Sequence, residues 1–159
     1  MYPLLIDKIT SPPKACAKWD NQFNLTPDDW AAIFKMPFCT VSEAKVKYFQ
    51  FRFIHRVLGT NRLLCLMGKA ETDLCTFCHI ETESLEHLFW SCHVTSSFLL
   101  DCELKFFGRQ FIFSGKDLFF GRIYVGYDPI NFMILHCKYY MYNCELNNSV
   151  PDCNTLSIK

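Results

Sequence analysis

Several absences narrow the possibilities first. No apolar run approaches the ~18 residues of a membrane span. The best stretch, Pro129 to Cys137, is short and holds Asn131 and His136, so no membrane partner is expected. There is no net charge, with 16 basic residues against 16 acidic, and overall charge therefore gives no argument for a polyanionic partner. The first residues, Met1-Tyr-Pro-Leu-Leu-Ile-Asp7-Lys8, show no basic stretch ahead of an apolar one. No secretory signal is read there, and the expectation is an intracellular chain, nuclear or cytoplasmic, not secreted. No Gly-rich phosphate loop and no His-Glu-x-x-His pattern occurs. No Ser, His and Asp set stands out either, so no catalytic residue and no small-molecule substrate are assigned. Internal repeats and low-complexity tracts are absent.

What is present is a 159-residue chain, half hydrophobic, with 16 Phe and 10 Cys. That length supports one domain with a modest core. In a reducing interior, cysteines act as buried apolar residues or as metal ligands.

The punctuation predicts a mainly α fold, a small multi-helix domain. Residues 1–25 read as irregular because Pro3, Pro12 and Pro13 interrupt them. Thr26 caps a first helix, with Pro27 at its first position and Asp28 and Asp29 at its positive end. That helix is expected to stop near Lys35, before Pro37. Thr40 and Glu43 have capping-box spacing, predicting a helix from Val41 to about Leu58, stopped by Gly59. Asn61 to Met67 predicts a shorter helix. Ser84 or Thr82 caps another, from about Leu85 toward Leu104. Phe111 to Phe113 reads as extended and Asp117 to Gly121 as a helical turn. Asp128-Pro129 starts a buried helix from Ile130 to about Leu146. The domain is thus placed at 26–146, followed by a polar tail, 147–159, that reads as truncated.

The most specific pattern is Cys75-x2-Cys78, followed by His87-x4-Cys92. Two cysteines two apart grip one metal ion from a tight turn, and a His and a Cys further on close a tetrahedron. A saturated Cys3His set suits a structural Zn2+ in a zinc-knuckle-like site between helices, not a catalytic ion that keeps a bound water. His79, His93 and Cys102 lie close enough in sequence to replace one ligand. One geometric conflict stands out. Five steps of a regular α-helix turn about 500°, leaving His87 and Cys92 roughly 140° apart, so the helix must start late, loosen or bulge between them.

Charge is polarised along the chain. Residues 35–69 hold seven basic residues against Glu43 alone, whereas residues 70–104 hold seven acidic residues and no Lys or Arg. On the helix after Glu43, Lys45, Arg52 and Arg56 fall within about 40° of one another, opposite the apolar arc. Tyr48 and His55 flank them. Lys and Arg on such a strip contact phosphates and the rings stack on bases; a solvated face, or pairing with the acidic half, explains the same pattern.

Taken together, Lys45-Val-Lys-Tyr-Phe-Gln-Phe-Arg-Phe-Ile-His55-Arg56, Thr60-Asn-Arg-Leu-Leu, Asp73-Leu-Cys75-x2-Cys78 and Glu83-x2-Glu86-His87-Leu-Phe-Trp90-x-Cys92 resemble the C-terminal zinc-binding region of non-LTR (LINE-type) retrotransposon reverse transcriptases. The resemblance spans roughly residues 26–146. It implies a non-catalytic module that assists RNA or DNA engagement, with Cys75, Cys78, His87 and Cys92 as zinc ligands. The Tyr-x-Asp-Asp context of the polymerase is missing, as is the endonuclease. Two alternatives follow: a zinc-stabilised interaction domain docking on the rest of a reverse transcriptase polyprotein, or a non-functional retroelement fragment.

Overall fold

The structure, a computed structural model, describes residues 16–108, 113–124 and 128–158. Among these are seven α-helices: α1 (Ala17–Phe23), α2 (Pro27–Thr40), α3 (Ala44–Ile54), α4 (Asn61–Leu66), α5 (His93–Phe107), α6 (Gly115–Phe120) and α7 (Pro129–Leu146). A π-helical turn, His87–Ser91, precedes α5. Among the described residues the sole β pairing is an isolated antiparallel bridge between Leu74 and Thr82. The mainly α expectation therefore holds. None of these helices is long and apolar enough to cross a membrane.

Helix starts follow local chemistry closely. The Thr26 side chain accepts from the Asp29 N–H at 3.1 Å, and the Asp29 carboxylate accepts from the Thr26 N–H at 2.8 Å. This reciprocal box satisfies two donors that the first turn leaves orphaned. Ser114 and Asp117 repeat it at α6. The Asp128 side chain caps α7 ahead of Pro129.

Several expectations fail, the first two for reasons of packing. Helix α2 does not stop before Pro37 but runs through it to Thr40. An interior proline costs roughly 3 kcal/mol; here Ile33, Met36, Pro37 and Thr40 are all buried, and their burial offsets that cost. Thr40 is consequently not the cap of α3. Its hydroxyl donates back to the Met36 carbonyl at 2.7 Å, and α3 begins at Ala44 without a side-chain cap. Helix α3 also ends at Ile54, four residues short of Leu58. The expected irregular segment 1–25 contains α1, and its Trp19 is fully buried. Part of the expected extended run Phe111 to Phe113 lies outside the described residues.

Helix α3 is central, packed against α2 and α7, which also touch each other. Phe49 and Phe53 of α3 meet Phe89 of the π turn at 6.0 and 5.1 Å between ring centroids. Trp19 adds contacts to Phe53, Phe119 and Phe120. This aromatic core fixes the π turn against α3. The tail is not loose where described: Cys153 and Leu156 are buried, and the Tyr140 hydroxyl bonds Thr155 and the Asp152 carbonyl. Inside α7, Lys138 is fully buried. Its ammonium donates to Gln50 at 2.6 Å and to the Phe119 carbonyl at 2.9 Å, and it sits 3.7 Å from the centre of the Phe53 ring.

Candidate metal centre

The centre starts with a tight loop. The Cys75 N–H donates to the Glu81 carbonyl at 2.8 Å and the Glu83 N–H to the Asp73 carbonyl at 2.7 Å, closing a short ribbon around the Leu74–Thr82 bridge. The His79 N–H returns to the Cys75 carbonyl at 2.9 Å, with His79 in the left-handed region at φ +56°. This folds Cys75 and Cys78 onto one side of the loop. Glu83 then locks the loop in place. It is fully buried and accepts from the Thr76 N–H at 2.6 Å and the Asn61 N–H at 2.7 Å. One carboxylate thereby ties the cysteine loop to the start of α4, and charge-assisted bonds of this kind are the strong ones.

The second pair of donors comes from the π turn. The Cys92 N–H donates to the His87 carbonyl, five residues back, at 2.9 Å. A hydrogen bond of that span widens the turn, so residues five apart, which diverge on an α-helix, come close together. Cys92 itself leaves helical geometry at φ −62°, ψ 130°, and α5 starts afresh at His93. The carbonyls this break strands are recovered by the next turn. Thr95 donates its hydroxyl to the Leu88 carbonyl at 2.6 Å, and Ser96 to the Trp90 carbonyl at 3.0 Å. Ser84, not Thr82, caps the entry by accepting from the His87 N–H at 3.0 Å.

The donor atoms of Cys75, Cys78, His87 and Cys92 lie within 4.8 Å of one another, the one such Cys/His convergence among the described residues. The Cys75 and Cys92 sulfurs are 4.0 Å apart, and Cys78 Sγ is 3.3 Å from His87 Nε2. Zinc bond lengths of ~2.3 Å to sulfur and ~2.0 Å to nitrogen place tetrahedral neighbours about 3.5–3.8 Å apart. The four residues therefore fit a zinc ion with every position filled.

The environment suits that role. With Nε2 on the inner side, His87 Nδ1 faces Ser91 and the Glu81 carboxylate, each at 3.4 Å; such partners orient a ligating imidazole. Burial raises the Cys75 thiol above its usual range. Cys78 is less covered: burial pushes it up, but the N–H groups of Glu81 and Ile80, with His87 and Cys75, outweigh this and bring it down to about 6. The loop thus offers one ready thiolate.

The alternative ligands are elsewhere. His79 and His93 are exposed and outside the cluster. Cys102 is fully buried on α5, outside the cluster; the neighbouring Cys137 thiol first, then burial, raises its thiol.

The residues of the basic strip divide into two groups. Tyr48 is 63% exposed, Lys45 is exposed above the Tyr139 ring, and the Arg52 guanidinium sits 5.7 Å from the Tyr48 ring while donating to the Tyr142 hydroxyl. Phe51 and Phe38, 51% and 60% exposed, extend this face, with Lys47 above Phe38. His55, half-buried, stacks on Phe51 at 4.0 Å. Arg56, by contrast, turns inward. It leaves α3 at φ +56°, stacks 4.3 Å from the Trp19 ring and pairs with Glu86 at 2.6 Å. The polarised halves of the sequence meet in that ion pair.

Sequence spacing singled out the four residues that converge here, but not their supports. Glu83 appears in the sequence only as part of the motif that carries the resemblance, and its partners lie up to 22 residues away. Nothing in the local pattern signals them. No curated protein and no solved structure matches the chain. Residues 15–98, more than half of it, match the family model described as zinc-binding in reverse transcriptase. With a saturated Cys3His cluster inside the matched span, the chain belongs to the family of zinc-binding domains of reverse transcriptases.

Proposed function

We propose that this chain is a non-catalytic zinc module of a non-LTR (LINE-type) reverse transcriptase, from the C-terminal region of that enzyme, and that it engages RNA or DNA. Cys75, Cys78, His87 and Cys92 hold one Zn2+ as a structural staple. When bound, the ion supplies folding free energy and no reaction step. The nucleic acid lies on the outer face of α3, against Lys45, Tyr48, Arg52 and His55. The observation that carries this reading is the exposed Tyr48 ring between Lys45 and Arg52, with Phe51 beside it. Exposed rings interleaved with cations give stacking and phosphate contact together. Arg56 belongs to this face in sequence but serves mainly to join α3 to Glu86 and Trp19.

The test is fluorescence anisotropy with labelled single-stranded RNA and DNA over a range of salt. Tyr48→Ala is expected to lose about 1–3 kcal/mol of binding. Lys45→Glu with Lys47→Glu is expected to weaken binding at least tenfold and to flatten the salt dependence. Binding indifferent to salt and to these variants contradicts the reading. A second reading is docking on the remainder of the reverse transcriptase, favoured by exposed Met67 and Ile80.

A further inference from the structure

Where α3 turns into α4 the surface opens into a cleft of about 420 Å³, within the range of ~300–1,000 Å³ common for ligand sites. Lys18, His55, Arg56 and Arg62 line it, and among the described residues no carboxylate does. Its buried apolar lining is Leu58 and Leu85, with half-buried Leu63 beside them. Neither Lys18 nor Arg62 makes an ion pair among the described residues, and both are exposed. Arg56 is held rigidly by Glu86 and Trp19, yet its Nη1 is covered and has no hydrogen-bond partner among the described residues. Arg56 therefore adds its charge to the wall of the cleft from a fixed position, while the mobile cations there are Lys18 and Arg62.

Cations around an apolar floor match a nucleotide unit, with phosphate oxygens at the rim and sugar or base over the leucines. We propose that this cleft binds one phosphate-bearing nucleotide of a single strand that runs along α3, with Lys18 and Arg62 around the phosphate. The proposal rests on the nucleic-acid reading of α3 and extends it. His55 lines the cleft and stacks on Phe51 of the exposed face, so cleft and face are continuous. A single strand is specified because stacking on Tyr48 and Phe51 needs unpaired bases. An acidic peptide is the competing occupant; the rings beside the cleft favour the nucleotide.

The experiment uses the zinc-loaded full chain and labelled 12-nucleotide single strands of RNA and DNA. Lys18→Ala with Arg62→Ala should weaken binding about fivefold or more and lower the salt slope by about 1.4, for two lost contacts at ~0.7 each. Unchanged thermal melting verifies that this variant is folded. Lys45→Ala with Lys47→Ala reports separately on the α3 face. If only the latter pair weakens binding, the cleft proposal fails and the α3 reading stands. If the wild-type chain binds neither strand, both fail. If a labelled poly-glutamate peptide binds through Lys18 and Arg62 while the strands do not, the cleft is a protein site and the proposal is overturned.

Discussion

The backbone N–H of Cys92 donates to the carbonyl of His87 at 2.9 Å. That one bond reconciles a five-residue spacing with a shared metal, because it replaces an α turn with a wider π turn. It also strands the Leu88 carbonyl, which the Thr95 hydroxyl recovers at 2.6 Å inside the core. Thr95→Val keeps the shape and removes the donor. The expected cost is about 1–3 kcal/mol, the penalty of an unpaired buried carbonyl. Urea denaturation of the zinc-loaded protein measures it, and a cost near zero would show that the π turn needs no such support.

Glu83 is the other support. Glu83→Ala removes charge-assisted bonds to Thr76 and Asn61. A loss of about 2–4 kcal/mol in stability is expected, together with roughly 10- to 100-fold weaker zinc binding, as for other residues that orient ligands. Competition with a metal indicator reads the second effect. Destabilisation without any change in zinc affinity would mean that Glu83 holds α4 but not the cysteine loop.

Glu145 gives the fold a pH dependence. Burial first, and then the charge of Glu83, raise its carboxyl from 4.5 to about 7. The folded state therefore holds a proton that the unfolded chain has released. The stabilisation is complete below about pH 4.5 and is lost as pH rises through about 7. Glu145→Gln removes the ionisation. Its stability relative to wild type should improve by about 2–3 kcal/mol between roughly pH 5 and pH 8. Paired melts across that range test this, since the metal's own pH response is common to both proteins. A constant difference would contradict it.

Trp19 shows that the domain begins earlier than its punctuation suggests. The indole N–H donates to the Ile54 carbonyl at 2.9 Å, and the ring packs on Phe53, Phe119 and Arg56. Trp19→Ala should cost about 3–5 kcal/mol, and removal of residues 1–25 should leave an unfolded chain. Far-UV circular dichroism and melting check both. A stable truncated protein would refute the role given to α1.

The sequence was most readable where causes are local. Caps at Thr26, Ser84 and Asp128, and the donors Cys75, Cys78, His87 and Cys92, rest on spacings of a few residues, and the turn angle alone exposed the strain between His87 and Cys92. What escaped depends on distant partners. Thr40 has the spacing of a cap, but burial of Pro37 carries α2 past it. Lys138 lies in a helix expected to be buried, but nothing in its neighbourhood of the sequence names Gln50 and Phe119, which satisfy it inside the core. Arg56 shares a helix face with Arg52, but a positive φ turns it toward Trp19 and Glu86.

The central claim is that a closed zinc staple holds this fold. Metal analysis of purified protein, followed by melting with and without a chelator, tests it most directly. The expected result is one zinc per chain, lost in Cys78→Ser and kept in Cys102→Ser, with chelation lowering the melting temperature by more than about 10 °C. Metal-free protein that melts at the same temperature with and without chelator would contradict the account.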